Sequence, residues 1–139
     1  MATGTAGSAA RKNTSQQVNY LRFTVNFGDA AAAVAVPKQW LPAGAIVLRT
    51  TVNVITAFNA GTTNVLSVGT ESATYANLGT SAAIVAGTPG LKTFMPPTGT
   101  AVVPLAADVQ VFALYAPTGT TATTGQAIFV VEYIPNNDQ

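Results

Sequence analysis

Short apolar alternations separated by turn residues constrain the fold of this chain more than any other feature. In residues 19–27 and 45–58 apolar side chains recur at every second position, and Gly, Asn or Asp follows each run. A period of two is typical of a strand with one buried face, whereas an amphipathic helix has a period of about 3.6. About seven or eight such runs, with turn signals roughly every 8 to 12 residues, predict an antiparallel β-sandwich or barrel with almost no helix.

The first part of the chain predicts two strands joined by a tight turn. The strand at 18–27 is followed by Gly28-Asp29, and glycine in the first loop position suits a type II′ hairpin. A second strand is expected over 30–36. Pro37 ends it, because proline has no backbone N–H to donate to a neighbouring strand.

The longest alternation follows the turn at 41–44 and covers residues 45–58. The side chains expected to share one face of this strand are Ile46, Leu48, Val52, Val54 and Phe58. The turn at 59–63 predicts a hairpin onto a strand at 64–69. Between 70 and 104 the pattern is less regular: a short helix or strand over 71–78, and short strands over 82–86 and 91–95.

Two strong strands, 107–116 and 126–134, predict a closing hairpin. Both faces of this hairpin are mostly apolar. One face can fill the core, while the other packs under a further sheet layer or against another subunit, and we favour the subunit contact. With a symmetric loop, four side chains lie together on the face available for that contact: Phe112, Leu114, Ile128 and Val130.

The composition limits the classes of function. Of 139 residues only 8% are charged and 48% are hydrophobic, against about 25% charged in average soluble domains. Such a composition favours a surface that is covered by other protein. The net charge of +1 argues against nucleic-acid binding, which depends on a basic footprint. No apolar run reaches the roughly 20 residues of a membrane helix, so we expect a soluble protein.

Catalytic side chains are scarce. Without His or Cys there is no usual base for a serine nucleophile and no thiolate metal site. In the expected hairpin, Asp108 and Glu132 lie diagonally on one face, which is the single arrangement that could serve acid–base catalysis. A solvated or interface position explains both residues more simply. We therefore expect no enzyme, no cofactor and no metal.

The N-terminal residues differ from the rest of the chain. Residues 1–17 hold no large apolar side chain besides Met1, so they cannot compensate the entropy lost on ordering. We interpret them as a flexible arm preceding one domain at 18–139. Arg11 and Lys12 are candidate contacts of that arm with a neighbouring subunit, and a frayed terminus is the alternative.

Three segments carry a resemblance to a known family. They are residues 41–69 (LPAGAIVLRTTVNVITAFNAGTTNVLSVG), 105–115 (LAADVQVFALY) and 127–135 (AIFVVEYIP). Together they resemble small virion proteins of tailed bacteriophages, in particular the capsid decoration, or cement, proteins. The resemblance implies a jelly-roll-like β-sandwich, often a homotrimer, on the outer capsid surface. It also implies the major capsid protein as partner, synthesis in the host cytoplasm, and no catalytic residues.

Two alternatives to the cement role remain open. The same segments suit a head fibre base or a tail component. A carbohydrate- or receptor-binding module on such a fibre would expose aromatic side chains such as Trp40, Tyr75 or Tyr115. For Trp40 the simpler interpretation is a buried lid over one end of the sandwich, since tryptophan is highly buried on average.

Overall fold

The chain folds as an antiparallel β-sandwich in the computed structural model, which describes residues 17–29, 34–72 and 74–136. A four-stranded sheet has the order β1-β7-β3-β5, and a three-stranded sheet has the order β2-β6-β4. The all-β sandwich expected from the sequence is confirmed. The strands are β1 (Asn19–Asn26), β2 (Val36–Leu41), β3 (Ile46–Thr56), β4 (Thr63–Gly69), β5 (Gly90–Met95), β6 (Val109–Thr118) and β7 (Gln126–Ile134). The predicted arm, with Arg11 and Lys12, lies outside the described residues apart from Gln17.

The alternating side chains of the strands meet in one core between the sheets. In β1 the expected inward residues Leu21, Phe23 and Val25 are buried. The ring of Phe23 stacks on that of Phe129, with 5.4 Å between the ring centroids. The period of two therefore gave the buried face of β1 correctly, because each inward side chain gains about 1.5–3 kcal/mol from leaving water.

A β-bulge changes the face of the first residues of β3. Val47 pairs with Tyr133 and Arg49 pairs with Glu132, so Leu48 is an extra residue without a partner on β7. A bulge moves every residue before it to the opposite face. As a result Val47 is buried, while Ile46 and Leu48 are exposed. The prediction was wrong for these two residues and right for Val52, Val54 and Phe58, which are buried.

All three predicted hairpins are wrong, because consecutive strands belong to different sheets. β1 pairs with β7 and not with β2, β4 pairs with β6 and not with β3, and β6 and β7 lie in opposite sheets. In a sandwich both sheets turn apolar side chains inward. An alternating strand therefore fits either sheet, and its pattern alone does not select a partner.

The second strand begins where the sequence predicted its end. Residues 30–33 lie outside the described residues, and β2 runs through Pro37 to Leu41. Proline is tolerated there because β2 is an edge strand, paired only with β6, and an edge strand has one side free of ladder bonds. The register between β2 and β6 also shifts between Pro37 and Trp40.

The segment between β4 and β6 holds little regular structure. The strand expected at 82–86 is instead a single helical turn, α1 (Ser81–Ile84), which ends at Val85 in a left-handed conformation. Ile84 on this turn is fully buried. The strand expected at 91–95 is confirmed as β5, and a 3₁₀ turn (Gly99–Ala101) follows it.

Side chains and backbone groups fix the connection from β6 to β7. The Asn59 side-chain oxygen accepts hydrogen bonds from the N–H groups of Thr123 (2.8 Å) and Thr124 (3.0 Å). Gly125 has a φ of 149°, and a Cβ there would collide with the Phe58 ring. This connection carries the chain from one sheet to the other and thereby sets which residues of β6 and β7 face outward.

Candidate interaction surfaces

The structure separates the four apolar side chains that the sequence placed on one surface. Phe112 and Leu114 lie on the outer face of the three-stranded sheet, whereas Ile128 and Val130 lie on the outer face of the four-stranded sheet. All four are partly buried in the described structure. They therefore belong to two surfaces on opposite sides of the sandwich, and each surface is described by itself below.

The outer face of the three-stranded sheet is rich in aromatic and aliphatic side chains. Trp40 is 58% exposed and lies opposite Gln110 in the register of β2 and β6. Pro37 lies opposite Phe112. Neither β4 nor β6 contains a charged residue. We call this surface the aromatic face, and it consists of Pro37, Trp40, Val65, Tyr75, Phe112 and Leu114.

The loop 70–77 holds the Tyr75 ring against the aromatic face. Tyr75 has a φ of 49°, in the left-handed region, and its ring centroid lies 5.1 Å from that of Phe112. The loop is fixed by the buried Asn77, whose side-chain oxygen accepts a hydrogen bond from the Thr70 N–H (2.8 Å) and whose amide donates to the Thr70 hydroxyl (2.9 Å). Gly69 lets the loop approach β4 closely, since a Cβ there would lie 2.5 Å from the Asn77 oxygen.

The outer face of the four-stranded sheet combines apolar and charged side chains. Across it, Arg22 lies opposite Val130, and Val130 lies opposite Thr51. Arg49 forms an ion pair with Glu132, and Tyr20, which lies opposite Glu132, is 65% exposed. We call this surface the mixed face, and it consists of Tyr20, Arg22, Ile46, Leu48, Arg49, Ile128, Val130 and Glu132.

Asp108 and Glu132 do not form the diagonal pair that the predicted hairpin required. Asp108 precedes β6 and accepts a hydrogen bond from the Ala43 N–H (2.7 Å), whereas Glu132 lies on β7 in the other sheet and pairs with Arg49. Each carboxylate thus has its own structural partner. Among the described residues no group of three or more acidic side chains lies close enough to hold a metal ion.

The three aromatic candidates for glycan binding lie in different environments. Tyr115 is only 5% exposed, and its hydroxyl donates to the Asn64 side-chain oxygen at 2.7 Å. Burial raises the pKa of this hydroxyl above its ordinary value. Tyr115 is therefore a core residue, and its ring packs on Phe58 with 4.7 Å between centroids. The interpretation of Trp40 as a buried lid is also wrong, because its ring is largely exposed on the aromatic face.

Sequence reasoning missed Val65 and Pro37 as members of a surface. Both are exposed, and both flank the outward residues of β6. A signal for this surface was present in the sequence: β4 and β6 together contain no charged residue, and interface cores are depleted of charged side chains. In the described part of the chain, no helix is long and apolar enough to cross a membrane.

Comparison with solved structures identifies two chains with the same architecture. A chain in the cyanophage Pam1 capsid asymmetric unit is 24% identical, with a TM-score of 0.60 over 85% of this chain and 84% of that chain. A chain in the capsid of Ralstonia phage GP4 is 17% identical, with a TM-score of 0.59 over 88% of this chain and 86% of that chain. No protein-family model and no curated protein matches the sequence. At these identities the likeness shows a shared fold.

Proposed function

We propose that this protein is a structural component of a phage virion, and more narrowly a decoration, or cement, protein on the outer surface of the head. The observation that carries the proposal is the fold shared with chains from two phage capsids over at least 84% of each chain compared. A likeness over nearly whole chains supports a comparable role for the whole protein. A domain shared by otherwise different proteins would cover less of those chains.

The surface chemistry agrees with a protein that acts by binding alone. The aromatic face offers Trp40, Tyr75 and Phe112, and aromatic residues are enriched in interfaces while charged residues are depleted from their cores. A cement protein stabilises a shell because many copies bury surface across the contacts between capsomers, so that opening the shell must also break those contacts. The function requires no catalytic residue and is that of a non-enzymatic protein.

The proposed partner of the aromatic face is the major capsid protein, and the proposed assembly state is a homotrimer. Phe112 and Leu114 are the central contacts of this face. Ile128 and Val130, on the mixed face, are the weaker candidates, because Arg22 and the Arg49–Glu132 pair surround them. Burying charged groups in a contact costs free energy unless each remains paired.

The N-terminal arm is a second proposed contact with a neighbouring subunit. Residues 1–17 include Arg11 and Lys12 and no acidic residue. A segment of this kind orders only when it binds a partner. Deleting residues 2–17 is expected to weaken binding to particles while the sandwich stays folded. Unchanged occupancy after the deletion would remove the arm from the mechanism.

The proposal is tested by counting copies on particles. Purified virions from the source are analysed by quantitative mass spectrometry, relative to the most abundant shell protein. A ratio near one, or a simple fraction of it, supports a protein distributed over the whole head. A few copies per particle would contradict the cement role and indicate a tail, portal or fibre position. Absence from the particles would overturn the virion assignment altogether.

Exposure of Trp40 favours one second candidate, the glycan-binding module of a head fibre or tail component. A flat, exposed aromatic ring is a suitable stacking surface for a sugar ring. Tryptophan fluorescence reports on this directly, because Trp40 is the single tryptophan of the chain. Titration with a panel of neutral and acidic glycans should leave the emission unchanged for a cement protein. A saturable shift in the wild type, together with loss of calorimetrically measured glycan binding in Trp40→Ala, would favour the glycan-binding role.

A further inference from the structure

The outer edge of β1 is occupied by side chains from other parts of the fold. Among the described strands β1 pairs with β7 alone, and the Phe27 N–H continues this pairing by donating to Gly125 O (3.0 Å). In an antiparallel ladder the backbone groups alternate between the two sides of a strand. The groups of the even-numbered residues, including Arg22, Thr24 and Asn26, therefore point away from β7.

Two side chains of β2 bond to this edge. The Lys38 ammonium donates to Thr24 O at 2.8 Å, and the Gln39 amide donates to Arg22 O at 3.4 Å. The Lys38 side chain is only 14% exposed, and its nitrogen lies 6.0 Å from the centroid of the Phe23 ring. A lysine held inward in this way is unusual, because lysine is almost never buried unless paired.

Asp29 completes the arrangement at the end of the strand. Its carboxylate accepts a hydrogen bond from the Asn26 N–H (2.8 Å), and its own N–H donates to Asn26 O (3.2 Å). The same carboxylate lies 3.8 Å from the Lys38 nitrogen. The ion pair supports Lys38 in the position from which it reaches Thr24.

Together these contacts occupy a site at which another strand would otherwise bind. An unpaired strand edge is a template for another chain, and natural proteins block such edges with charged side chains, lysine above all. We propose that Asp29, Lys38 and Gln39 form an edge guard that keeps β1 from pairing with β1 of a second copy of this chain. Two identical edges pair antiparallel about a two-fold axis, so an unguarded β1 would join two four-stranded sheets into one.

The guard also directs assembly, because it closes one route by which copies of this chain associate. With β1 blocked, contacts through the outer faces remain available while two four-stranded sheets cannot join through their β1 edges. This inference concerns the free protein, so it holds or fails independently of the proposed function. Its test requires no phage particle.

The test removes both donors in Lys38→Met combined with Gln39→Ala. Sedimentation and light scattering measure self-association of this double variant and of the wild type over the same concentration range. We expect the variant to self-associate about tenfold or more tightly, equivalent to about 1.4 kcal/mol. Amide hydrogen exchange should show that the N–H groups of Arg22 and Thr24 gain protection as concentration rises, since these groups face the edge.

The matched control is Lys92→Met, which removes a lysine from β5 at the opposite edge of the same sheet. It changes the charge equally and should associate as the wild type does. Lys38→Arg with Gln39 intact keeps a cationic donor and should also associate as the wild type does. Wild-type association of the double variant, or association without protection at Arg22 and Thr24, would overturn the proposal.

A folding defect is separated from loss of the guard by a second variant. If the double variant lacks a cooperative thermal transition, Asp29→Ala takes its place, because it frees the Asn26 N–H and leaves Lys38 and Gln39 intact. The same two measurements then apply. Tighter association with protection of the β1 edge supports the guard, and unchanged association overturns it.

Discussion

The two outer faces of the sandwich differ in their charged residues and in whether a loop packs on them. The aromatic face is built on β2, β4 and β6, and the loop 70–77 places Tyr75 against it. The strands β4 and β6 contain no charged residue, and the Lys38 side chain of β2 bonds to the edge of β1 instead. The mixed face carries Arg22 and the Arg49–Glu132 pair among its apolar side chains. Exposed apolar area alone does not distinguish the faces, because both have it. The distribution of charge does distinguish them, and it supports the proposed contact through the aromatic face.

The largest expected effect comes from placing a charge on each face in turn. Leu114→Arg puts an unpaired guanidinium into the aromatic face. We expect the affinity for phage particles that lack this protein to fall about 100-fold, or about 2.7 kcal/mol. Ile128→Arg makes the same change on the mixed face and should alter binding less than about threefold. Occupancy is measured by co-sedimentation with particles. The reverse order of the two effects would assign the contact to the mixed face.

A smaller effect is expected from disturbing the loop 70–77, which packs on the aromatic face. In Gly69→Ala the new methyl group meets the Asn77 side-chain oxygen and the Tyr75 carbonyl carbon, each at 2.5 Å. The loop 70–77 must shift, and we expect a loss of about 2 kcal/mol in the free energy of unfolding. Urea denaturation measures it. Gly28→Ala is the control, because no atom lies within 4 Å of its added Cβ; equal losses in both variants would contradict the packing argument.

Each sheet holds a buried hydroxyl group, that of Thr50 in the core and that of Ser67 under the loop 70–77. Thr50 of β3 is 1% exposed, and its hydroxyl has no hydrogen-bond partner among the residues that the structure describes. The buried Ser67 of β4 donates to Thr74 O at 3.4 Å. Thr50→Val should raise the free energy of unfolding by about 1 kcal/mol, because an unsatisfied buried polar group is removed. Thermal unfolding should show no gain for Ser67→Ala. Destabilisation by Thr50→Val would mean that its hydroxyl has a partner after all.

The smallest effect concerns the ion pair on the mixed face. The side chains of Arg49 and Glu132 are 47% and 25% exposed, and pairs in contact with water contribute little. A double-mutant cycle with Arg49→Ala and Glu132→Ala should give a coupling of about 0.5 kcal/mol that weakens as salt increases. A coupling several times larger and independent of salt would show that the mixed face is shielded from water, as in an assembled contact.

Strand positions could be predicted from the sequence because they depend on local pattern. The alternation placed Asn19, Leu21, Phe23, Val25 and Phe27 on one face. Leu21, Phe23 and Val25 are buried, whereas Phe27, beyond the end of β1, is 39% exposed. The strand β7 was predicted with its observed bounds. The predicted buried face of β3 was wrong at the start of the strand, where the bulge at Leu48 reverses the alternation. A bulge depends on pairing with β7, far along the chain, so no local pattern predicts it.

The pairing partners of the strands could not be predicted from the sequence. The predicted grouping of four surface residues was therefore wrong as well. Phe112, Leu114, Ile128 and Val130 all lie outside the set of buried core residues, but they do not form the single face that was predicted. Their grouping assumed that β6 and β7 form a hairpin. The connection between them crosses the sandwich instead, and the inward residues of both sheets are equally apolar. The pattern could therefore not distinguish one surface of four residues from two surfaces of two.

The position of β7 governs when the protein can fold during its synthesis. Among the described residues β7 comes last in sequence order, and it is a central strand of its sheet, between β1 and β3, with Asn19 opposite Tyr133. While the ribosome is still producing residues 126–134, β1 has no partner to pair with. A prematurely terminated chain that ends before β7 therefore leaves β1 and one side of β3 unpaired. Such products should be cleared by proteases rather than compete with complete copies for assembly.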